Sequence, residues 1–263
     1  ITGCYSAALP PGRQGEVFHR YILGVYDLYE RLTTAFPNIL FESCASGGGR
    51  FDPGMLYYAP QAWTSDDSDA IERLKIQYGS SYCYPVSSMG SHVSAVPNHQ
   101  LLRNTPLHTR ANVAYFGTFG YELDLNKLTE QEIEEVKQQI TFMKQYRRLF
   151  QFGTFYRLSS PFEENVTAWM VVNEAKTEAI VGWYRVLNGV NGPYTRLRLK
   201  GLDPELCYEN SAFPDAEGFY GDELMNLGVI TTDSTCGELK ENSVPPTYDF
   251  DSRLYVLKAK KKG

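Results

Sequence analysis

Three aspartates that follow a short apolar segment offer the clearest chemistry in this sequence. Asp66, Asp67 and Asp69 come directly after Ala62-Trp63 in the segment QAWTSDDSDA. A carboxyl group in a cleft beside an aromatic wall can serve as a general acid or base. Aspartates at a helix start also cap free backbone N–H groups, so the local pattern leaves both roles open. Asp66 is the best candidate for chemistry because it lies nearest the predicted strand, whereas Asp67 and Asp69 suit the cap and first turn.

A second polar segment follows another short apolar run, Ile39-Leu40-Phe41. It reads ESCASGGGR and contains Cys44 and three consecutive glycines. Cys44 has three possible roles: a nucleophile, for which no histidine lies nearby in sequence, a polar contact in a pocket, or a buried thiol. The glycines lack the spacing of a phosphate-binding loop and predict a tight turn whose backbone approaches a ligand or another loop. No metal-ligand spacing is present, so the sequence predicts neither a metal site nor a cofactor.

Helices and strands alternate around both polar segments. Apolar positions at helical spacing predict a helix over residues 16–36, and a capping box of Thr129 and Glu132 predicts the start of a long helix. Asp67 or Ser68 is the predicted N-cap of the helix after the aspartates. Residues 93–112 read as irregular, and the predicted strands are 39–42, 61–64, 84–88 and 114–119. This alternation predicts parallel strands with functional residues at their carboxyl ends.

The pattern changes after Gln151, where short strands separated by turn residues predict an antiparallel sandwich. The predicted strands are 154–158, 168–172, 179–184, 194–199, 206–209, 224–229 and 254–258. The fold class is therefore α/β followed by all-β. We predict two domains, residues 1–152 and residues 153–263.

Composition narrows the class of protein. Apolar residues make up 43% and charged residues 21%, which is typical of a globular chain. The net charge of −6 argues against a nucleic-acid partner, and no apolar run reaches membrane-spanning length. Five cysteines without a CxxC pair predict a reducing, cytoplasmic setting. The start at Ile1, without a leader-like segment, predicts a piece of a longer protein.

The two polar segments together carry a family resemblance. ESCASGGGRFD and QAWTSDDSDAIERLKIQYG, at their observed spacing, closely resemble the bacterial α-galactosidases of glycoside hydrolase family 36. Matching segments elsewhere are PVSSMGSHVS, AYFGTFGYELD and YGDELMN, so the resemblance covers nearly the whole chain. It implies the C-terminal half of a (β/α)8 barrel, strands five to eight, followed by an antiparallel β-sandwich domain.

The resemblance also implies an activity and a set of site residues. It implies a retaining α-galactosidase that removes terminal α-linked galactose from raffinose-type oligosaccharides and is a homo-oligomer at full length. Asp66 is then the acid/base, Cys44, Ser46 and Gly47 lie in the galactose subsite, and Trp63 forms a pocket wall. The acid must keep its proton near neutral pH, which we expect from burial beside Trp63 and from the charge of Asp67.

One part of the family pattern is absent from these residues. The family nucleophile is an aspartate in a KWDMNR-like motif, which this sequence lacks. A retaining glycosidase needs two carboxyl groups about 5–5.5 Å apart, so we expect the isolated chain to be an inactive fragment. Three alternatives stay open: an α-N-acetylgalactosaminidase, a galactosyl transferase on the same scaffold, or a carbohydrate-binding fragment without catalysis.

Overall fold

The computed structural model describes three stretches of the chain: residues 5–189, 194–232 and 249–260. The chain divides into two units. The first comprises Ile1–Asp66 and Ser88–Gly90, and the second comprises Asp67–Ser87 and Ser91–Gly263.

The first unit holds a pair of parallel strands and two helices. Its elements are α1 (Gly15–Ala35), β1 (Glu42–Ser43), α2 (Pro53–Tyr58) and β2 (Gln61–Ala62). Glu42 pairs with Gln61 and Ser43 with Ala62, which confirms the predicted parallel arrangement. The predicted strand at 39–42 is wrong in its bounds, because Ile39 is exposed and pairing begins only at Glu42.

The α/β elements continue beyond Asp66. They are α3 (Ala70–Ser80), β3 (Gly90–Ser94), α4 (Leu107–Ala114), β4 (Thr118–Glu122) and α5 (Glu130–Phe152). Strand β3 pairs with β4. The capping box is confirmed: the Thr129 hydroxyl accepts the Glu132 N–H, and the Glu132 carboxylate accepts the Thr129 N–H.

Three predictions for this region are wrong. Residues 86–88 form a 3-10 turn, and the strand predicted at 84–88 begins only at Gly90. The strand predicted at 114–119 begins at Thr118. Helix α4 replaces a segment predicted to be irregular, because Leu107, Ala111 and Ala114 recur at helical spacing and are all buried.

Antiparallel strands dominate after residue 153. They are β5 (Thr154–Ser159), β6 (Val166–Val172), β7 (Glu178–Arg185), β8 (Thr195–Leu197), β9 (Cys207–Asn210), β10 (Phe219–Tyr220), β11 (Val229–Thr232) and β12 (Asp251–Ala259). Six form a sheet in the order β10-β9-β12-β7-β6-β5, and β8 pairs with β11 in a separate ribbon. The strand predicted at 224–229 is wrong: helix α6 (Gly221–Asn226) occupies its first half, and β11 begins after Gly228, whose φ is +83°.

Both faces of the six-stranded sheet are buried. Trp169 and Tyr184 point to the face that packs with α3, α4 and α5, whereas Met170 and Trp183 point to the opposite face, with Leu224. The Tyr184 hydroxyl accepts the Trp169 indole N–H at 3.1 Å and donates to a backbone carbonyl of α4 at 2.7 Å. One core therefore includes residues on both sides of position 152, and the boundary between residues 1–152 and 153–263 remains a prediction.

Across the described residues, no helix combines the length and apolar character needed for a membrane span.

Candidate active site

The parallel register of the first unit aligns the two polar segments. Cys44 directly follows β1 and Trp63 directly follows β2, so both lie at the carboxyl ends of paired parallel strands. The Trp63 N–H donates to the Ser43 carbonyl at 3.0 Å, which extends the pairing to the start of both loops. Because this edge of a parallel sheet is where sites are usually built, the residues predicted from the sequence share a suitable position.

Asp69 is the N-cap of α3. Its carboxylate accepts the N–H groups of Ile71 at 3.0 Å and Glu72 at 3.1 Å, and it forms an ion pair with Arg103. The residue is only 2% exposed. The prediction of Asp67 or Ser68 as the cap is therefore wrong, because the Asp69 carboxylate, two and three residues before the free N–H groups, is the one that reaches them.

Asp67 also has a structural role, which lies in the turn before the helix. Its carboxylate accepts the Asp69 N–H at 3.0 Å. Burial lowers the pKa of the Arg73 guanidinium to about 10, while the negative charges of Asp67 and Glu122 act in the opposite direction. Asp67 thus helps to keep a buried cation charged.

Asp66 differs from both neighbours. Its side chain is exposed, and among the described residues its carboxylate has no hydrogen bond or ion pair. The expectation that Asp66 is buried beside Trp63 is therefore wrong. Among the described residues of its own unit, the carboxylate is exposed to solvent. Of the three aspartates, Asp66 is the one that local structure leaves available for chemistry.

The glycine turn approaches the Asp66 loop through its backbone. Ser46 and Gly47 have φ values of 50° and 75°, and the Ala45 N–H donates to the Gly47 carbonyl at 2.8 Å. A Cβ on Gly47 would lie 2.6 Å from Ser65 Cα and 2.9 Å from the backbone nitrogen of Asp66. The prediction of a tight turn against another loop is confirmed, and only glycine permits this approach.

The side chains of Cys44 and Ser46 are exposed at the same turn. The interpretation of Cys44 as a buried thiol is therefore wrong. Within the described residues the thiol has no hydrogen-bond partner, and no imidazole is positioned to activate it.

Arg50 is a positioning residue that the sequence reasoning missed. Its guanidinium donates to the Cys44 carbonyl at 2.9 Å and to the Tyr21 hydroxyl at 3.3 Å, which ties the turn to helix α1. The only signal in the sequence was a cation directly after the glycines. A side chain that spans the base of a turn restricts the backbone that carries Cys44 and Ser46.

Trp63 is 9% exposed. Its ring packs so closely over Gly90 that a Cβ there would lie 3.0 Å from Trp63 Cε3. The indole is thus mostly buried. Within the described part of the chain, no group of three or more histidine, cysteine, aspartate or glutamate side chains could hold a metal ion.

The parallel strands carry an exposed carboxylate beyond their carboxyl ends, and an antiparallel β-rich region follows them. This combination is typical of glycosidases built on a barrel. A melibiase family model matches residues 1–153, and a model described as the glycosyl hydrolase family 36 C-terminal domain matches residues 166–257. The chain therefore belongs to glycoside hydrolase family 36.

Individual relatives agree with this assignment. α-Galactosidase AgaA from Geobacillus stearothermophilus is 60% identical over 230 residues, which cover 87% of this chain and 31% of that protein. The crystal structure of the α-galactosidase from Lactobacillus brevis matches with a TM-score of 0.88 and 53% identity, covering 98% of this chain and 34% of that one. A structure of an AgaA variant in complex with raffinose matches with a TM-score of 0.86 and 53% identity, covering 98% of this chain and 34% of that one. The chain thus spans about a third of the length of the relatives it matches.

Proposed function

We propose that this chain forms part of a retaining α-galactosidase that removes terminal α-linked galactose from raffinose-type oligosaccharides. The carrying observation is the position of Asp66: its exposed carboxylate has no partner among the described residues, and its backbone abuts the glycine turn. The raffinose complex of the AgaA variant supports the substrate class.

In the proposed mechanism Asp66 is the acid/base. It donates its proton to the departing glycosidic oxygen in the first step and removes a proton from water in the second. Bound sugar would displace water from the exposed carboxylate and so exclude solvent from the reacting groups. The 263 residues contain no KWDMNR-like motif, so a nucleophilic carboxylate from a longer polypeptide completes the pair.

Cys44, Ser46 and Gly47 form the proposed galactose subsite, with Trp63 as a wall. Exposed thiol and hydroxyl groups beside a turn of fixed geometry can contact sugar hydroxyls. The positive φ of Gly47 lets the turn approach the Asp66 loop without an intervening side chain. The bound sugar would then contact both loops.

The finer architecture is also part of this proposal. The α/β region corresponds to strands five to eight of a (β/α)8 barrel, residues 1–152, and the antiparallel region to a β-sandwich domain, residues 153–263. The full-length enzyme is a cytoplasmic homo-oligomer. The parallel β1–β2 pair and the separate sheet and ribbon support this architecture.

The acid/base role is tested by Asp66→Asn in the enzyme that contains this chain. Raffinose has a poor leaving group, so we expect its turnover to fall by about 10²–10⁴-fold. An aryl α-galactoside with an acidic leaving group needs no proton, so its pre-steady-state burst should persist. Added azide should restore steady-state turnover of the aryl substrate, because an anionic nucleophile needs no general base.

Asp215→Asn is the matched control. Asp215 is exposed in the β-rich region and belongs to none of the candidate active-site segments, so both substrates should be cleaved at nearly the rate of the unaltered enzyme. Equal losses on both substrates in Asp66→Asn, without azide rescue, would refute the acid/base role.

The isolated 263-residue chain is expected to be inactive, because one carboxylate cannot perform double displacement. The purified chain and its Asp66→Asn variant are each assayed with an aryl α-galactoside. Hydrolysis that Asp66→Asn removes would show that a nucleophile exists within these residues.

A further inference from the structure

A cavity of about 170 Å³ lies in the β-rich region of the second unit. It is bounded by the edge strand β10 and its neighbour β9, by helix α6 and by the β8–β11 ribbon. None of the candidate active-site residues lines it. The polar and aromatic side chains around it are Arg196, Asn210, Phe213, Phe219 and Glu223.

Asn210, one of the residues that line this cavity, carries a buried hydrogen-bond donor. The residue is 3% exposed, and its Oδ1 accepts the Ala212 N–H at 3.0 Å. Its Nδ2 is buried and has no acceptor among the described residues. A buried amide without a partner costs about 1–3 kcal/mol, so proteins rarely retain one without a reason. A ligand oxygen in the cavity would satisfy this donor.

Two aromatic rings supply an apolar surface in the same cavity. The rings of Phe213 and Phe219 lie 5.9 Å apart at 66° to each other. Ring faces of this kind bury the C–H groups of a flat ligand. A ligand that matches this cavity therefore has an apolar face as well as polar atoms.

The charged groups indicate a neutral ligand. Arg196 and Glu223 line the cavity with opposite charges, and no ion pair joins them within the described part of the chain. Arg196 uses one nitrogen to donate to the Gly228 carbonyl at 3.3 Å, which leaves further N–H groups available. The cavity thus offers amide and guanidinium donors and a carboxylate acceptor, with no net charge.

We infer that this cavity is a second carbohydrate site, which binds one pyranose ring of a neutral sugar. A pyranose combines an apolar C–H face with hydroxyl groups that both donate and accept. The volume is smaller than the roughly 300–1,000 Å³ of sites for drug-sized ligands, so one ring is the matching size. This site binds without chemistry and does not depend on the proposed role of Asp66.

The test uses the 263-residue chain, with galactose and glucose as separate probes. Titration of each sugar is followed by the NMR shift of the Asn210 side-chain amide and by calorimetry. We expect at least one sugar to shift that amide. Preference for galactose would indicate a site for the released galactose or for the galactose end of a substrate. Equal binding of both sugars would indicate a site for any hexose. Both outcomes support the inference.

Variants separate this cavity from the proposed galactose subsite. Asn210→Asp keeps the acceptor for Ala212 and removes the donor, and Phe219→Leu removes one ring from an edge strand while keeping an apolar side chain. Each should weaken binding by about tenfold. Phe152→Leu, at a ring that is 76% exposed and outside the cavity, should leave this binding unchanged.

Two results would overturn the inference. One is that neither sugar shifts the Asn210 amide at millimolar concentrations. The other is that binding survives both cavity variants and is lost in Trp63→Ala, which would assign it to the proposed galactose subsite. The amide spectrum of each variant checks that it is folded, and Phe219→Leu keeps the test valid if Asn210→Asp does not fold.

Discussion

Gly47→Ala tests whether backbone contact between the two loops sets the geometry of the site. The added Cβ would lie 2.6 Å from Ser65 Cα, whereas ordinary contact begins at 3.4 Å, so the loops must separate by about 0.8 Å. A displacement near 1 Å can lower the rate by about 10²-fold when reacting groups must be aligned. The φ of 75° adds about 1–2 kcal/mol of strain for a residue with a Cβ.

The assay is kcat/KM of the enzyme that contains this chain, with an aryl α-galactoside, together with its thermal unfolding. We expect kcat/KM to fall by about 10²-fold and Tm to decrease. Gly24→Ala is the matched control, since a Cβ there has open space and the residue lies within helix α1. It should stabilise the protein by up to about 1 kcal/mol without changing the rate.

Retained activity within twofold in Gly47→Ala, at unchanged Tm, would refute the argument. It would mean that the two loops separate without effect on the site. A fall in Tm with unchanged kcat/KM would limit the role of Gly47 to folding.

Two further predictions concern stability. Asp69→Ala removes both the helix cap and an ion-pair partner of Arg103. It should destabilise the chain by about 1–2 kcal/mol more than Asp69→Asn, because asparagine can still cap the helix. Urea unfolding of the two variants measures this difference, and equal losses of stability would contradict a capping role. Burial raises the pKa of Tyr255 to about 12, whereas an unfolded tyrosine titrates near 10, so the unfolded state loses its proton first as the pH rises. The contribution of Tyr255 to the free energy of unfolding is complete below about pH 10 and is lost as the pH rises toward 12. In Tyr255→Phe, the free energy of unfolding should therefore fall less steeply with pH in this range. An unchanged pH dependence would contradict this reasoning.

Much of the site was predictable because its signals are local. The glycines at 47–49 predict a turn from backbone preference alone, and the Thr129–Glu132 capping box needs only residues three apart. Alternation of apolar segments was enough to predict parallel strands with Cys44 and Trp63 at their ends, since side-chain and backbone periodicity are properties of short segments.

Long-range contacts decided what the sequence left open. Asp69 rather than Asp67 caps α3, where it also meets Arg103, 34 residues away. Helix α6 replaces a predicted strand because Leu224 packs into a core built from distant strands. Local patterns therefore determined which residues are candidates for chemistry. Only tertiary packing decided which carboxylates became structural and left Asp66 exposed, because burial and hydrogen bonding depend on residues that are far apart in the chain.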